Sequence, residues 1–115
     1  MGINELGGKS LFLDQSSTQI GRGESIADTA QVLSRYLDGL IIRAHGHEII
    51  EEYARFSGVP VINALTDFLH PCQIYADCMT ILEKLGDDEN PFSGLRGKKL
   101  SFFGDTACNM ANSWI

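Results

Sequence analysis

The stretch GLIIRAHGHEIIEEYARFSGVPVINA, residues 39–64, decides the fold class of this chain. It opens with a short apolar run at 39–44 and closes with a second apolar run at 59–64. Between them, apolar residues recur at helical spacing over 47–58, and Gly58 stands where a helix would end. A strand, a helix and a strand in this order predict a right-handed βαβ unit with parallel strands.

The same alternation continues upstream of this unit. SLFLD at 10–14 reads as a further strand, and a helix is expected to follow from Glu24. At the start of that helix, Ser25 and Asp28 resemble a capping box with Asp in place of Glu. The apolar stripe of this helix consists of Ile26, Ala30, Leu33 and Leu37.

Downstream, the spacing of apolar residues predicts a helix over 71–85 with Pro71 at its first position. A polar linker with Gly and Pro occupies 87–97, KKLSFFGD at 98–105 reads as another strand, and a further helix begins within 106–115. We therefore expect an α/β fold in which a parallel sheet carries helices on both faces.

Composition excludes several classes of function. The 115 residues, 43% of them hydrophobic, can bury one modest core. The net charge of −6 and the scattered basic residues argue against nucleic acid and anionic membranes as partners. No apolar run approaches the length of a membrane span. The N-terminus lacks the basic segment followed by an apolar segment that a signal peptide has. The 3 cysteines show no disulfide or zinc spacing, so a reducing cytoplasm is expected.

Polar residues gather where the predicted strands end, and ligands of parallel sheets bind beyond these carboxyl ends. These strand-end residues offer neutral hydrogen-bond donors, side-chain amides and one cation. Together such groups suit a ligand that is an anion with a polarised carbonyl. Arg43 and His70 can donate hydrogen bonds to an oxygen that gains negative charge, while the amide of Gln73 can recognise an NH2 group. The strand-end set comprises Gln15, Ser16, Ser17, Thr18, Gln19, Arg43, His45, His47, Asn63, Thr66, Asp67, His70, Gln73, Asp105 and Asn109.

Four motifs in order resemble those of the aspartate/ornithine carbamoyltransferase family. HPCQ at 70–73, within VPVINALTDFLHPCQIYADCMTI, is similar to the family's carbamoyl-phosphate signature. Arg43 in LIIRAHGHE resembles the arginine that contacts the carbamoyl oxygen. Gln19 in SSTQIGRGES matches a glutamine that reaches into the neighbouring subunit's site. Asn109 in GDTACNMANSW matches the second Asn of GDxxNNxxxS, which contacts ornithine.

The resemblance implies transfer of the carbamoyl group from carbamoyl phosphate to the side-chain amine of L-ornithine, giving L-citrulline and phosphate in arginine metabolism. It implies Arg43 and His70 as catalytic residues. The implied substrate-binding residues are Gln19, Arg43, His70, Pro71, Cys72, Gln73 and Asn109. It also implies a cytoplasmic homotrimer that uses no cofactor and no metal.

The family's other strings are absent from this chain. Ser-Thr-Arg-Thr-Arg, which holds the phosphate, does not occur, nor do Asp-xxx-Ser-Met-Gly and His-Cys-Leu-Pro, which hold ornithine. MGINELGG resembles the end of a family helix. We therefore expect an internal piece of a longer enzyme, inactive alone. Its expected parts are the later half of the carbamoyl-phosphate domain at 1–70, an inter-domain helix and linker at 71–97, and the start of the ornithine domain at 98–115.

Other readings stay open. A transcarbamoylase acting on another amine, such as putrescine or an acylated ornithine, fits the same motifs. Aspartate fits less well, because that branch usually carries HPTQ and lacks the match to Asn109. A non-catalytic α/β module such as a phosphorylation receiver needs paired acids after the first strand, where only Asp14 stands. His70 and Gln73 can also be plain helix caps, and His45 and His47 are expected to be solvated rather than metal ligands.

Overall fold

The computed structural model describes residues 1–14, 23–87 and 89–115. Two strands, β1 (Leu40–Arg43) and β2 (Val61–Leu65), form a parallel pair. The helices are α1 (Gly2–Glu5), α2 (Ile26–Leu33), α3 (His47–Phe56), α4 (Pro71–Leu85) and α5 (Asn109–Trp114), with a 3-10 helix at Pro91–Gly94. Because α3 connects β1 to β2, the predicted βαβ unit and the α/β class are confirmed.

The register of the strand pair breaks at the carboxyl end of β1. Leu40 pairs with Val61 and Ile42 with Asn63, but Arg43 pairs with Leu65. This irregularity lies between Ile42 and Arg43, and such a bulge changes the direction of the side chains that follow it. The bulge therefore lies at the strand end from which Arg43 projects.

The core lies where α2 and α3 pack on this βαβ unit. Ala30, Leu40 and Tyr53 are buried at its centre. Partly buried apolar residues surround them, namely Ile26, Leu33, Leu37, Ile42, Ile49, Val59 and Val61. The stripe predicted for α2 from the sequence is therefore the face that packs. On the sheet, Ile41 and Ile62 keep 57% and 47% of their surface exposed.

The predicted start of α2 is also confirmed. Ser25 is the N-cap residue, and its Oγ accepts a hydrogen bond from the Asp28 N–H at 3.1 Å. The same hydroxyl donates to Asp28 Oδ2 at 2.7 Å. The cap satisfies a backbone donor that the helix itself leaves without a partner.

Two predicted strands do not form. Residues 10–14 and 98–103 have no regular secondary structure, and Phe12 and Phe103 are 90% and 93% exposed. A strand needs a neighbour for its backbone N–H and C=O groups, and neither segment pairs with β1 or β2. The predictions for these two segments were therefore wrong in this structure. Within the described ranges, no helix is both long and apolar enough to cross a membrane.

Candidate active site

The loop between β2 and α4 is built around Thr66, which is fully buried. The Thr66 N–H donates to the Leu69 carbonyl at 2.8 Å, and the Leu69 N–H donates to Thr66 Oγ1 at 3.0 Å. These two bonds close the loop over 66–69 and deliver the chain to His70, the N-cap residue of α4. Pro71 follows at the first helical position, where its missing N–H removes no helical bond.

His70 has a fixed backbone and an unused ring nitrogen. Its N–H donates to Ser113 Oγ at 2.7 Å, and its carbonyl accepts from the Gln73 N–H at 3.1 Å. The ring makes no capping hydrogen bond to α4. Ring atom Nδ1 is buried without a partner among the described residues. Because buried polar groups are normally hydrogen-bonded, the ring retains capacity for a ligand or water, which a plain cap would have used.

The other signature residues have distinct roles at the start of α4. Gln73 Nε2 donates to Asp77 Oδ1 at 2.9 Å, one turn further along the helix. In this orientation the amide leaves Gln73 Oε1 as the atom that can accept from an NH2 group. Cys72 is exposed, and its Sγ contacts the Asn63 carbonyl at 3.3 Å.

Arg43 lies at the same edge of the sheet as this loop. The Ala44 N–H donates to the Leu65 carbonyl at 3.1 Å, and the Asp67 N–H donates to the His45 carbonyl at 2.9 Å. These bonds tie the two strand-to-helix junctions together, as the parallel order predicted. The Arg43 side chain is exposed and has no hydrogen bond or ion pair with any described residue.

Helix α5 brings Asn109 to the same loop. Asn109 Nδ2 donates to the Thr66 carbonyl at 2.8 Å, and Asn112 Nδ2 donates to the Phe68 carbonyl at 3.2 Å. Residues that are 43 positions apart in the sequence therefore meet at one junction. Gln19, the remaining predicted site residue, lies outside the described residues, as do its neighbours over 15–22.

Sequence reasoning placed His47 at a strand end but predicted its environment wrongly. Its Nδ1 lies 3.0 Å from Thr66 Oγ1, and its ring packs edge-on against Phe68 with centroids 5.3 Å apart. The expectation of a solvated side chain is therefore wrong for His47, whereas His45 is exposed as expected. The sequence signal was weak, because a Thr after a strand does not by itself indicate a buried hydroxyl.

Asn112 and Ser113 were missed for a different reason. They follow Asn109 by three and four positions, so all three lie on one side of α5. Helical spacing from Asn109 would have identified them as neighbours of the same loop. They carry side-chain contacts to Phe68 and His70 respectively.

A shallow depression of about 400 Å³ lies elsewhere on the surface. Its lining residues, Glu48, Glu51, Glu52, Arg55 and Phe56, all belong to α3. None of the candidate residues lines it, and it presents carboxylates where an anion would be repelled. The candidate site is therefore defined by converging polar groups at the strand ends and not by this depression.

Comparison with known proteins gives a consistent result. Residues 1–83 match the family described as aspartate/ornithine carbamoyltransferase, carbamoyl-P binding domain. The ornithine carbamoyltransferases of Methanoculleus marisnigri and Geobacter sulfurreducens are each 50% identical to the whole chain over 115 residues. These matches cover 35% of each relative, so the chain spans about a third of the length of the curated relatives it matches.

Solved structures of carbamoyltransferases resemble this fold, at both higher and lower sequence identity. Ornithine carbamoyltransferase from Pyrococcus furiosus is 52% identical with a TM-score of 0.69, covering 73% of this chain and 27% of that one. Aspartate transcarbamoylase from Trypanosoma cruzi, in complex with aspartate and phosphate, is 32% identical with a TM-score of 0.66, covering 74% and 27%. The fold is thus shared with carbamoyltransferases of both acceptor types.

Proposed function

The chain belongs to the aspartate/ornithine carbamoyltransferase family, and from that premise we propose that its strand-end residues form part of a site for carbamoyl transfer to ornithine. They would contribute the groups that hold the carbamoyl moiety and one group that contacts the acceptor. The product would be L-citrulline, with release of phosphate.

The proposed chemistry assigns each group a task. The ornithine side-chain amine attacks the carbamoyl carbon, a C–N bond forms, and the carbonyl oxygen gains negative charge in a tetrahedral intermediate. The C–O bond to phosphate then breaks, the phosphate leaves with the electron pair, and the nitrogen loses a proton. Arg43 and His70 donate hydrogen bonds to the developing oxyanion, while Gln73 Oε1 accepts from the carbamoyl NH2 and fixes its orientation.

One observation carries this proposal: helix α5, which begins at Asn109, contacts the 66–70 loop, which ends at His70. Asn109 Nδ2 binds the Thr66 carbonyl at 2.8 Å, and the His70 N–H binds Ser113 of the same helix at 2.7 Å. An acceptor held near Asn109 would therefore lie beside the residue that polarises the carbamoyl oxygen. A two-substrate reaction gains much of its rate from such placement.

Ornithine is favoured as the acceptor by two features of the chain. Cys72 completes HPCQ, and Asn109 keeps Oδ1 available for the charged end of an amino acid after Nδ2 has bound Thr66. The relatives at about half identity are named ornithine carbamoyltransferases. Aspartate transcarbamoylase from T. cruzi is less similar, at 32% identity.

We extend the proposal to the organisation of the chain. Residues 1–70 would belong to the carbamoyl-phosphate domain, 71–97 would form the inter-domain helix and linker, and 98–115 would begin the ornithine domain. The family match that ends at residue 83, inside α4, supports a boundary in this region. Free Cys72, Cys78 and Cys108 support a reducing compartment such as the cytoplasm. Gln19 would reach into the active site of a neighbouring subunit in a homotrimer.

The test is a chimera in which residues 1–115 replace the corresponding segment of the G. sulfurreducens ornithine carbamoyltransferase. It is produced in a host without its own ornithine carbamoyltransferase and assayed with ornithine, aspartate, putrescine and acetylornithine. We expect carbamoyl transfer with ornithine preferred. A chimera that melts cooperatively like its parent but makes no citrulline would contradict the proposal, and a preference for another amine would reassign the acceptor.

A further inference from the structure

We propose that Ser113 is a positioning residue, which sets the place of the His70 ring by holding the His70 backbone. The catalytic consequence rests on the proposed function, whereas the contact itself can be tested without it. The Ser113 side chain reaches His70 only through the backbone N–H, at 2.7 Å, so it acts through His70 and not on a substrate.

The direction of the hydrogen bonds is determined by the hydroxyl's single proton. Ser113 Oγ donates that proton to the Asn109 carbonyl at 2.6 Å. Its lone pairs are therefore left to accept, and His70 N–H is the donor that uses one of them. His70 is the N-cap residue of α4, so its N–H has no partner within that helix. Ser113 supplies this partner from a helix far along the chain.

The His70 backbone is thereby held on both sides. Ser113 binds its N–H, and its carbonyl accepts from the Gln73 N–H at 3.1 Å. With both peptide groups fixed, the ring's position depends only on its own side-chain torsions. The ring carries the buried Nδ1 that no described group uses, so the backbone bonds locate it without consuming its nitrogen.

The contact also links the two predicted substrate sides. The carbonyl that accepts the hydrogen bond from Ser113 Oγ belongs to Asn109. The side chain of Asn109 in turn donates to the Thr66 carbonyl at 2.8 Å. Helix α5 therefore holds both ends of the 66–70 loop, Thr66 through Asn109 and His70 through Ser113. Asn112 adds a third contact at the Phe68 carbonyl but does not bind His70, which makes it a useful comparison.

The direct test is site-resolved amide hydrogen exchange on the 115-residue chain, with the His70 N–H as the probe. In Ser113→Ala this N–H should lose protection by about fivefold or more, the value for one net hydrogen bond of roughly 1 kcal/mol. Ser113→Thr retains the hydroxyl and should restore protection. Asn112→Ala and Ser101→Ala should leave it unchanged, since Ser101 is exposed and no described residue bonds to its hydroxyl.

An internal monitor separates lost positioning from a melted helix. The Asn112 N–H donates to the Cys108 carbonyl at 3.1 Å and reports whether α5 is formed. We expect its exchange to stay constant in Ser113→Ala while the His70 exchange accelerates. If both accelerate together, or if the His70 exchange does not change, the positioning role is overturned.

The catalytic consequence is measured in the chimera described above. Ser113→Ala should lower kcat about tenfold while KM for carbamoyl phosphate stays within about twofold. The reason is that misplacing a catalytic group reduces stabilisation of the transition state more than it reduces binding of the substrate. Ser113→Thr should recover kcat. An unchanged kcat alongside faster His70 exchange would overturn the catalytic role. A parent chimera without activity would count against the proposed function alone, because the exchange result stands independently.

Discussion

At the scale of single residues, the sequence identifies which side chains stand at strand ends or helix starts but not what each one binds. Arg43, His70, Gln73 and Asn109 were predicted from position and chemical type. The structure adds that Gln73 Nε2 is bound by Asp77 and Asn109 Nδ2 by Thr66. Helical spacing alone makes Gln73 and Asp77 neighbours, whereas the contact between Asn109 and Thr66 depends on packing between distant parts of the chain that no local pattern encodes. For the same reason, the bond between His47 and the buried Thr66 was not predicted.

The proposed oxyanion donors give the first prediction. In the active chimera, Arg43→Ala and His70→Ala should each lower kcat by roughly 10²- to 10³-fold, the range for loss of one oxyanion donor. His45→Ala is the matched control, since His45 is exposed two positions after Arg43, between β1 and α3, and no described group bonds to its ring. Steady-state kinetics with both substrates measures the effect. Losses under about threefold for both donors would show that neither stabilises the transition state.

Tyr53 gives a prediction about alkaline stability. Burial and the charge of Glu24 raise the pKa of its phenol above the ordinary 10.0. The folded state therefore favours the neutral phenol, so this contribution to stability is complete below pH about 10 and is lost as pH rises through the folded pKa. Tyr53→Phe should make the unfolding free energy less sensitive to pH in this alkaline range.

Urea unfolding at pH about 8 and about 11 tests this, because a tyrosine phenol in the unfolded chain ionises between the two values. Tyr36→Phe is the control, because Tyr36 is 81% exposed whereas Tyr53 is only 7% exposed. Between these two pH values, the free energy of unfolding should fall less in Tyr53→Phe than in Tyr36→Phe. Equal losses in the two variants would show that the Tyr53 phenol does not contribute.

At the scale of elements, helices were easier to predict than strands for a physical reason. A helix satisfies its own backbone hydrogen bonds, so the apolar stripe of α2 and the start of α4 could be located from local sequence. A strand depends on its neighbours. β1 and β2 pair with each other, whereas the apolar runs at 10–14 and 98–103 are exposed and pair with neither of these strands. Their sequence pattern alone could not reveal that.

The cap of α2 gives the prediction at this scale. Ser25→Ala removes the acceptor of the Asp28 N–H and should lower the free energy of unfolding by about 1 kcal/mol. Ser25→Asp should lower it less, because a carboxylate can still cap. Ser101→Ala, in an exposed segment without helical structure, is the control. Chemical denaturation measures all three variants, and equal stability of Ser25→Ala and Ser101→Ala would contradict the capping role.

At the scale of the whole molecule, the chain exposes more surface than an independent domain of its size. Its accessible surface is 8958 Å², whereas a compact protein of this mass would expose about 6,200 Å². Its radius of gyration is 17.4 Å, against about 13 Å for a compact domain of this length. Leu11, Phe12, Leu100 and Phe103 are among the exposed apolar side chains. These values support the proposal that the chain functions as part of a larger fold.

The last prediction follows from this exposure: the 115-residue chain alone should make no measurable citrulline. Arg43 is exposed, and without a closed site its charge is screened by water, so it cannot stabilise an oxyanion strongly. The phosphate-holding string Ser-Thr-Arg-Thr-Arg is also absent. The measurement is citrulline formation by chain purified from a host lacking the enzyme, with the chimera as positive control. Turnover by the chain comparable to the chimera would show that residues 1–115 already form a complete site.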